Sequence, residues 1–237
     1  MLRFDLLGIP VGVHFTFLFM AVLGLGVYTG IELAYWTLAA FIAILLHELG
    51  HALTARRFGA SGVTITLFAL GGVTSYQPST KMSQGRLFLV SAAGSAVGIL
   101  AGLVLIGLGR AGLFESVPRV IDVFIVSFIY VALIWGILNW IPIVPLDGGH
   151  MVLHFVGIFN PEKAPLIAQI VTWIAVAVVV PLAVINDFLI AAFLVVMFAM
   201  TGLRDYRRRT APTQPTPGDA SAHTPMSEGE SRDERPE

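Results

Sequence analysis

Two histidines and a glutamate lie within five residues of one another in an apolar stretch of the chain. His47, Glu48 and His51 form the pattern HExxH, and the surrounding residues 36–55 are long and apolar enough to span a membrane as a helix. Histidines at i and i+4 lie on one helix face, so both imidazoles can bind the same Zn²⁺. The glutamate beside them can accept a proton from a metal-activated water. The pattern is typical of a hydrolytic zinc site.

The same three residues also have a purely structural explanation. HExxH occurs by chance, and a single histidine on an apolar helix face is more often a hydrogen-bonded core residue than a ligand. Within a membrane span, however, each of these polar groups costs free energy unless it is paired or bound to metal. Their clustering at metal-binding spacing therefore favours a functional site.

The composition predicts a membrane protein. Of the 237 residues, 56% are hydrophobic and only 12% are charged, against about a quarter charged in soluble domains, and the mean hydropathy is +0.83. A net charge of −1, with no basic stripe, gives no indication of nucleic-acid binding. Because the chain has no cysteine, disulfides and thiolate ligands are excluded, and any metal must be held by nitrogen and oxygen ligands.

Apolar runs predict an all-α polytopic membrane protein with about six transmembrane helices. The predicted spans are residues 13–30, 34–55, 86–108, 121–141, 166–184 and 187–203. Together they form a membrane-embedded domain over residues 1–203. The segment 204–237 is rich in proline, serine and glutamate, and it is predicted to be a disordered cytoplasmic tail.

Three segments interrupt the helical pattern. Residues 61–76 are rich in β-branched side chains around Gly71 and Gly72, which predicts a small hairpin beside the membrane, and residues 8–15 could add a strand. Residues 139–150 contain two prolines and two glycines, so no regular helix continues through them. Irregular backbone at membrane depth is tolerated only where protein or a water-filled cavity surrounds it, and this segment is a second candidate region for a site.

Charge placement predicts the topology. With six spans both termini lie on one side, and that side carries most of the basic residues of the loops. They are Arg3, Arg56, Arg57, Lys81, Arg86, Lys163 and the arginines after residue 203, against only Arg110 and Arg119 on the other side. Both termini are therefore predicted to be cytoplasmic, in a cell membrane of bacterial or archaeal type.

A catalytic zinc site needs three protein ligands and an open position, so a third ligand must come from elsewhere. Asp147 and His150 in the broken segment are the candidates, with Asp147 favoured because two histidines and a carboxylate are a common hydrolytic set. His150 and His154, four residues apart, could instead form a second metal pair or make outer hydrogen bonds to the site. The sequence assigns no role to His14.

The two motifs together resemble the site-2 protease family of intramembrane zinc metalloproteases. HELGH lies in one apolar helix, and Asn139…Pro142…Pro145-Leu146-Asp147-Gly148-Gly149-His150 ends a later one. The resemblance implies that His47, His51 and Asp147 bind one Zn²⁺ per chain and that Glu48 is the catalytic base. It also implies that Asn139 orients the substrate or the oxyanion.

The resemblance covers roughly residues 5–203. Residues 94–98, GSAVG, resemble the small-residue motif of the family, and residues 69–73 resemble its membrane-associated hairpin, which implies that Gly71 and Gly72 bind substrate. The implied partners are a single-span membrane-protein substrate and the lipid bilayer. Residues 77–85 are too few for the PDZ domain of one branch, and the tail is too short for the CBS domains of another, which indicates a minimal-core member.

The alternative function is a membrane protein that binds or transports metal. Histidines and an aspartate on discontinuous helices can line an ion path. Glu48 argues against this function, because a carrier does not need a base beside an open metal position. An inactive scaffold and a protease whose HExxH lies in a cytosolic domain are further alternatives. The complete motif argues against the scaffold, and the apolar setting argues against the cytosolic domain.

Overall fold

The computed structural model describes residues 1–69, 71–80 and 82–210. The strands are β1 (Leu2–Leu6), β2 (Ile9–Val13), β3 (Ser61–Phe68) and β4 (Gly71–Gln77). The helices are α1 (Phe19–Gly24), α2 (Gly30–Arg57), α3 (Gln84–Arg110), α4 (Arg119–Asn139), α5 (Asp147–Phe159), α6 (Ala164–Ile185) and α7 (Leu189–Thr210), and a 3-10 turn covers Phe15–Leu18. The predicted fold class, a helical membrane bundle with a small sheet, is confirmed.

Among the described residues, five helices are long and apolar enough to cross a membrane: α2, α3, α4, α6 and α7. They match the last five predicted spans, with ends that differ by a few residues. The first predicted span, residues 13–30, is different, because α1 has only six residues and is too short to cross a membrane alone. A glycine-rich stretch follows Gly24, and the Trp36 indole of α2 donates to the Met20 carbonyl at 3.1 Å. Packing against α2 therefore replaces the long helix expected from hydropathy.

Helices α4 and α5 together cover the length of α3. Gly98 of α3 faces the Ala132 carbonyl of α4, and further along α3 Gly102 faces α4 again. In the other half of α3, the first residue of the helix, Gln84, forms a hydrogen bond with His154 of α5. The two helices therefore run end to end along one neighbour, so residues 119–159 make one crossing with an internal break.

The break between α4 and α5 confirms that no regular helix continues through residues 139–150. The Val144 N–H donates to the Thr172 hydroxyl of α6 at 3.1 Å, which satisfies a backbone group that no helix bond uses. Gly148 and Gly149 pack directly on the backbone of residues 140–144, where a Cβ atom would collide with it. The glycines therefore allow α5 to begin at Asp147, folded back against the break.

The four strands form one sheet in the order β1-β2-β3-β4. β1 with β2 and β3 with β4 are antiparallel, while β2 and β3 pair in parallel, with Val11 opposite Ile65. This confirms the predicted hairpin and the added N-terminal strand. Val11, Ile65 and Leu67 are almost fully buried against the helices, and β4, an edge strand, lies beside α2. The sheet thus carries an edge strand next to the HExxH helix.

The C-terminal helix is longer than the sequence predicts. α7 continues to Thr210, beyond the predicted domain end at residue 203. The rest of the predicted tail, residues 211–237, lies outside the described residues, and its disorder stays a prediction.

Candidate metal centre

The HExxH residues lie on one buried face of α2. His47 and His51 are one helical turn apart, and their Nε2 atoms are 3.1 Å from each other. Both residues are buried, with exposed fractions of 3% and 7%. The two imidazoles therefore lie on one helix face, as the i, i+4 spacing predicts.

Asp147, the first residue of α5, completes the cluster. Its Oδ2 lies 3.3 Å from His47 Nε2 and 3.2 Å from His51 Nε2. Within the described ranges, these three residues are the group of histidine and acidic side chains positioned to hold a metal ion. His150, the other candidate for third ligand, is not part of this group. The structure thus brings together Asp147 and the two histidines, as favoured from the sequence.

The three ligand atoms fit a zinc ion. Zn²⁺ binds nitrogen and oxygen ligands at about 2.0–2.1 Å, and tetrahedral geometry then separates neighbouring ligand atoms by roughly 3.3 Å. The observed separations of 3.1, 3.2 and 3.3 Å are the three edges of one face of such a tetrahedron. Two imidazole nitrogens and a carboxylate oxygen that converge at a buried point are a suitable donor set for Zn²⁺. The donor set also contains no sulfur, as the composition requires.

Two hydrogen bonds with α3 hold His51 and Asp147 in place. The Val90 carbonyl accepts from His51 Nδ1–H at 2.7 Å, which leaves Nε2 as the nitrogen with a free lone pair. The Ser95 hydroxyl donates to Asp147 Oδ2 at 3.0 Å. His47 differs, because its buried Nδ1 has no hydrogen-bond partner among the described residues. Outer partners of this kind orient metal ligands and tune their affinity.

Glu48 is buried beside the ligands and contacts β4. The residue is 4% exposed. The Thr74 hydroxyl lies 2.7 Å from Glu48 Oε2 and 3.0 Å from the Glu48 carbonyl oxygen. Gly72 lies against the same carboxylate, since a Cβ atom there would approach Glu48 Cγ to 2.5 Å. The edge strand of the sheet therefore forms one wall of the centre.

The chain is similar to curated proteins that are named as zinc metalloproteases. No family model matches the chain. A zinc metalloprotease of Methanocaldococcus jannaschii is 28% identical over 62% of this chain and 43% of its own length. A protein of Synechocystis sp. named as a candidate zinc metalloprotease is 33% identical over 60% of this chain and 38% of its own length. The chain thus spans less than half the length of these curated relatives.

A solved structure covers nearly the whole bundle. The site-2 protease from Methanocaldococcus jannaschii superposes with a TM-score of 0.60, covering 90% of this chain and 96% of that chain, at 23% identity. The chain has the site-2 protease fold. The fold that the two motifs implied is confirmed, and the chain is a multi-pass membrane protein.

Glycines of the site-2 protease fold set the distance between α2 and α3 at the centre. A Cβ atom on Gly94 would overlap the His51 imidazole, and one on Gly50 would approach the Ala93 carbonyl oxygen to 2.7 Å. Gly94 begins the GSAVG motif, so the close packing that such a motif favours occurs beside a ligand. The motif lets the two helices approach closely enough for Val90 to reach His51.

The other predicted residues lie around the centre without joining the ligand cluster. Asn139 ends α4, and its Nδ2 donates to the Trp135 carbonyl at 2.9 Å. Gly71 begins β4 at φ +157° and faces the Trp135 ring, where a Cβ atom would approach to 2.9 Å. Asn139 and Gly71 therefore both contact Trp135, one helical turn before the break.

Three histidines have contacts of other kinds. His154 Nδ1 lies 2.8 Å from Gln84 Oε1, and the His150 and His154 rings stack at 6.4 Å. His14 accepts a hydrogen bond from the Thr16 N–H and caps the 3-10 turn. None of these contacts involves His47, His51 or Asp147.

Sequence analysis missed Thr74 and Ser95. Ser95 carried a signal, since it is a polar residue within the small-residue motif of an apolar span. Thr74 carried none, because threonine is common in strands for its shape alone.

Proposed function

We propose that this chain is an intramembrane zinc endopeptidase that hydrolyses a peptide bond in or beside a transmembrane segment of a membrane protein. The observation that carries the proposal is the convergence of His47, His51 and Asp147 beside Glu48, buried among helices long enough to cross a membrane. His47 Nε2, His51 Nε2 and Asp147 Oδ2 would hold one Zn²⁺. The names of the curated relatives and the shared fold support the same activity.

Each residue of the centre has a defined task in this reaction. When bound, zinc lowers the pKa of a water and polarises the scissile carbonyl. Glu48 accepts the proton of the attacking water on a carboxylate oxygen and passes it to the leaving amine nitrogen. Asn139 orients the substrate or stabilises the oxyanion. For this task its amide N–H leaves the Trp135 carbonyl and donates a hydrogen bond to the substrate instead.

The proposed substrate is a single-span membrane protein that binds as an extended strand. A transmembrane helix hides its carbonyls in intrahelical bonds, so the segment must unwind before water can attack. β4 is an edge strand of the sheet, and its residue Gly72 contacts Glu48. An unwound segment paired with β4 along Gly71 and Gly72 would therefore lie beside the base.

The proposed topology has both termini in the cytoplasm of a bacterial or archaeal cell. Residue Met20 packs against α2, and residues 119–159 cover α3 as one broken crossing. In the proposed topology the N-terminal sheet and the end of α7 would therefore lie on one side of the membrane. The basic residues Arg56 and Arg57 end α2 on that side. Their position agrees with the positive-inside rule.

The substitution Glu48→Gln tests the proposed activity. Glutamine keeps the shape of the side chain but cannot accept the proton, so cleavage should stop while about one zinc per chain remains bound. Membrane proteomes of cells that carry wild-type protein or Glu48→Gln should differ by single-span proteins that accumulate with the variant. Identical membrane proteomes in the two strains, together with normal cleavage by Glu48→Gln, would contradict the proposal.

The absence of cysteine allows a direct test of the substrate strand. Ser75→Cys on β4 and Asp5→Cys on β1, the opposite edge of the sheet, are matched single-cysteine probes in the Glu48→Gln background. A cysteine in the substrate segment should form a disulfide with the Ser75→Cys variant and not with the Asp5→Cys variant. The reverse pattern would assign the substrate to β1.

A further inference from the structure

We infer that Thr74 is a positioning residue for Glu48: its hydroxyl fixes the orientation of the carboxylate that acts as base. The inference rests on the proposed function, because it assigns a task within that reaction. It concerns a residue of the sheet, whereas the ligands and the base all belong to helices. The contact joins the strand proposed to bind substrate to the group proposed to move the proton.

The hydrogen-bond geometry favours the carboxylate as the acceptor. The hydroxyl carries one proton, and its two acceptor atoms are Glu48 Oε2 at 2.7 Å and the Glu48 carbonyl oxygen at 3.0 Å. A bond to an ionised oxygen is shorter and stronger than one to a neutral carbonyl, and the carboxylate is the nearer atom. The terminal torsion of a glutamate side chain is otherwise broad. The Thr74 bond therefore selects one orientation of the carboxylate.

The rest of the β4 face restricts Glu48 by packing. Gly72 and Thr74 are two residues apart on the strand and therefore lie on the same face of the sheet. Their cross-strand partners on β3 are the buried residues Leu67 and Ile65. A Cβ atom on Gly72 would lie 2.8 Å from both Glu48 Cδ and Oε1. Backbone at position 72 thus confines the carboxylate, and Thr74 supplies the polar contact in the same wall.

Packing alone does not require a hydroxyl at position 74. The residue opposite Thr74 is Ile65, which is 1% exposed, and an apolar β-branched side chain would suit this face equally well. A hydroxyl on a half-buried face costs free energy unless it is hydrogen-bonded. Glu48 provides both of its observed acceptor atoms, so the hydroxyl acts on Glu48.

The inference predicts a change in kcat with KM unchanged. Thr74 points towards α2, whereas an added substrate strand would pair along the backbone edge of β4, so loss of the hydroxyl leaves strand binding intact. The hydrogen bonds of the Thr74 hydroxyl go to Glu48 and not to His47, His51 or Asp147, so zinc binding should also be unaffected. Only the fraction of time in which Glu48 is correctly oriented should fall.

The test uses the full chain in lipid vesicles, with a single-span protein that accumulates in Glu48→Gln cells as substrate. Thr74→Val removes the hydroxyl at nearly constant shape, and kcat should fall about 10- to 100-fold, the effect of losing a hydrogen bond to a charged group. KM and zinc content should stay at wild-type values. Thr74→Ser keeps the hydroxyl and should restore most of kcat. The matched control is Thr66→Val, on the opposite face of the sheet beside Val73.

Several outcomes would overturn the inference. They are wild-type kcat in Thr74→Val, a loss in Thr74→Ser equal to that in Thr74→Val, or an effect confined to KM or zinc content. If Thr74→Val does not fold, Thr74→Ala, which adds no volume, must show the same loss of kcat with zinc retained. Glu48→Gln separates the two hypotheses. If Glu48→Gln cleaves normally the proposed function fails, and if it is inactive while Thr74→Val is normal only the inference fails.

Discussion

The two segments that meet at the metal centre hold their ligands in different ways. α2 is a continuous helix of 28 residues, and the spacing of His47 and His51 along it already places both imidazoles on one face. The α4–α5 segment is broken over residues 140–146, and Asp147 opens a helix of only 13 residues. One segment supplies two of the proposed ligands through local geometry, while the other supplies the third through tertiary contacts.

This difference identifies where the centre is sensitive to change. The position of Asp147 depends on the Thr172 bond to the break, on the close packing of Gly148 and on the Ser95 hydroxyl. The histidines need only an intact helix and enough space beside α3. Substitutions that disturb the α4–α5 segment or its contact with α3 should therefore affect the zinc site more than those at the far end of α2.

The largest effect is expected from Asp147→Ala, which removes the ligand that depends on the break. Two histidines alone hold zinc weakly, so zinc affinity should fall by more than about 100-fold and cleavage should be lost with it. His150→Ala, one turn later on α5, is the matched control and should retain the metal. The measurement is zinc content after dialysis against graded chelator. If His150→Ala empties the site and Asp147→Ala does not, the ligand assignment is wrong.

Gly94→Ala tests the space that the histidines need. The added methyl overlaps the His51 imidazole, so zinc affinity should fall, and overpacking should destabilise the protein by about 1–3 kcal/mol. Gly107→Ala on the same helix meets no atom within 4 Å and should keep zinc, with a gain of about 0.5–1 kcal/mol in helix stability. Chelator competition and thermal unfolding measure both quantities. Equal zinc affinity in the two variants would show that His51 is free to move.

Ser95→Ala should have an intermediate effect on the zinc site. It removes the donor to Asp147 Oδ2 without touching a histidine, and losses of about 10- to 100-fold in metal affinity are typical of such partners. Ser91→Ala, one turn earlier on α3, is the control, because its hydroxyl donates to the Leu87 carbonyl of its own helix. Unchanged affinity in Ser95→Ala would show that the break alone positions Asp147.

The smallest effect is expected from Arg119→Ala at the opposite end of the bundle. The Arg119 side chain is 69% exposed and pairs with Glu32 at 2.9 Å, which joins the first turns of α2 and α4. Exposed ion pairs contribute little, so zinc affinity, cleavage and thermal midpoint should all be close to those of the wild type. A marked loss of zinc in this variant would contradict the view that α2 holds its ligands through local geometry.

Local patterns were enough to predict much of this protein. Hydropathy predicts the five long helices, because a span must be apolar over a fixed length. Helical periodicity predicts that His47 and His51 share a face, and Gly71 with Gly72 marks the hairpin. These features depend on residues close together in the chain, so neighbouring residue types are sufficient to find them.

Other features depend on contacts between distant residues. The first predicted span became a short helix packed on α2, because the Trp36 contact and the glycines outweigh apolar composition. α5 was not predicted as a separate helix that completes the crossing of α4. The sequence spacing left both Asp147 and His150 as candidates for the third ligand, because both lie in the same irregular segment. Only the folded structure decides which of the two side chains reaches α2.

The sequence by itself determined that the chain crosses a membrane and that one helix places two imidazoles on one face with a glutamate beside them. These properties follow from composition and from a period of 3.6 residues, both of which are local. Only the tertiary structure decided that Asp147 Oδ2 lies within 3.3 Å of both histidines, that Ser95 holds it there and that Thr74 contacts the Glu48 carboxylate. Each of these contacts joins residues at least 26 positions apart, and packing of separate elements sets such distances.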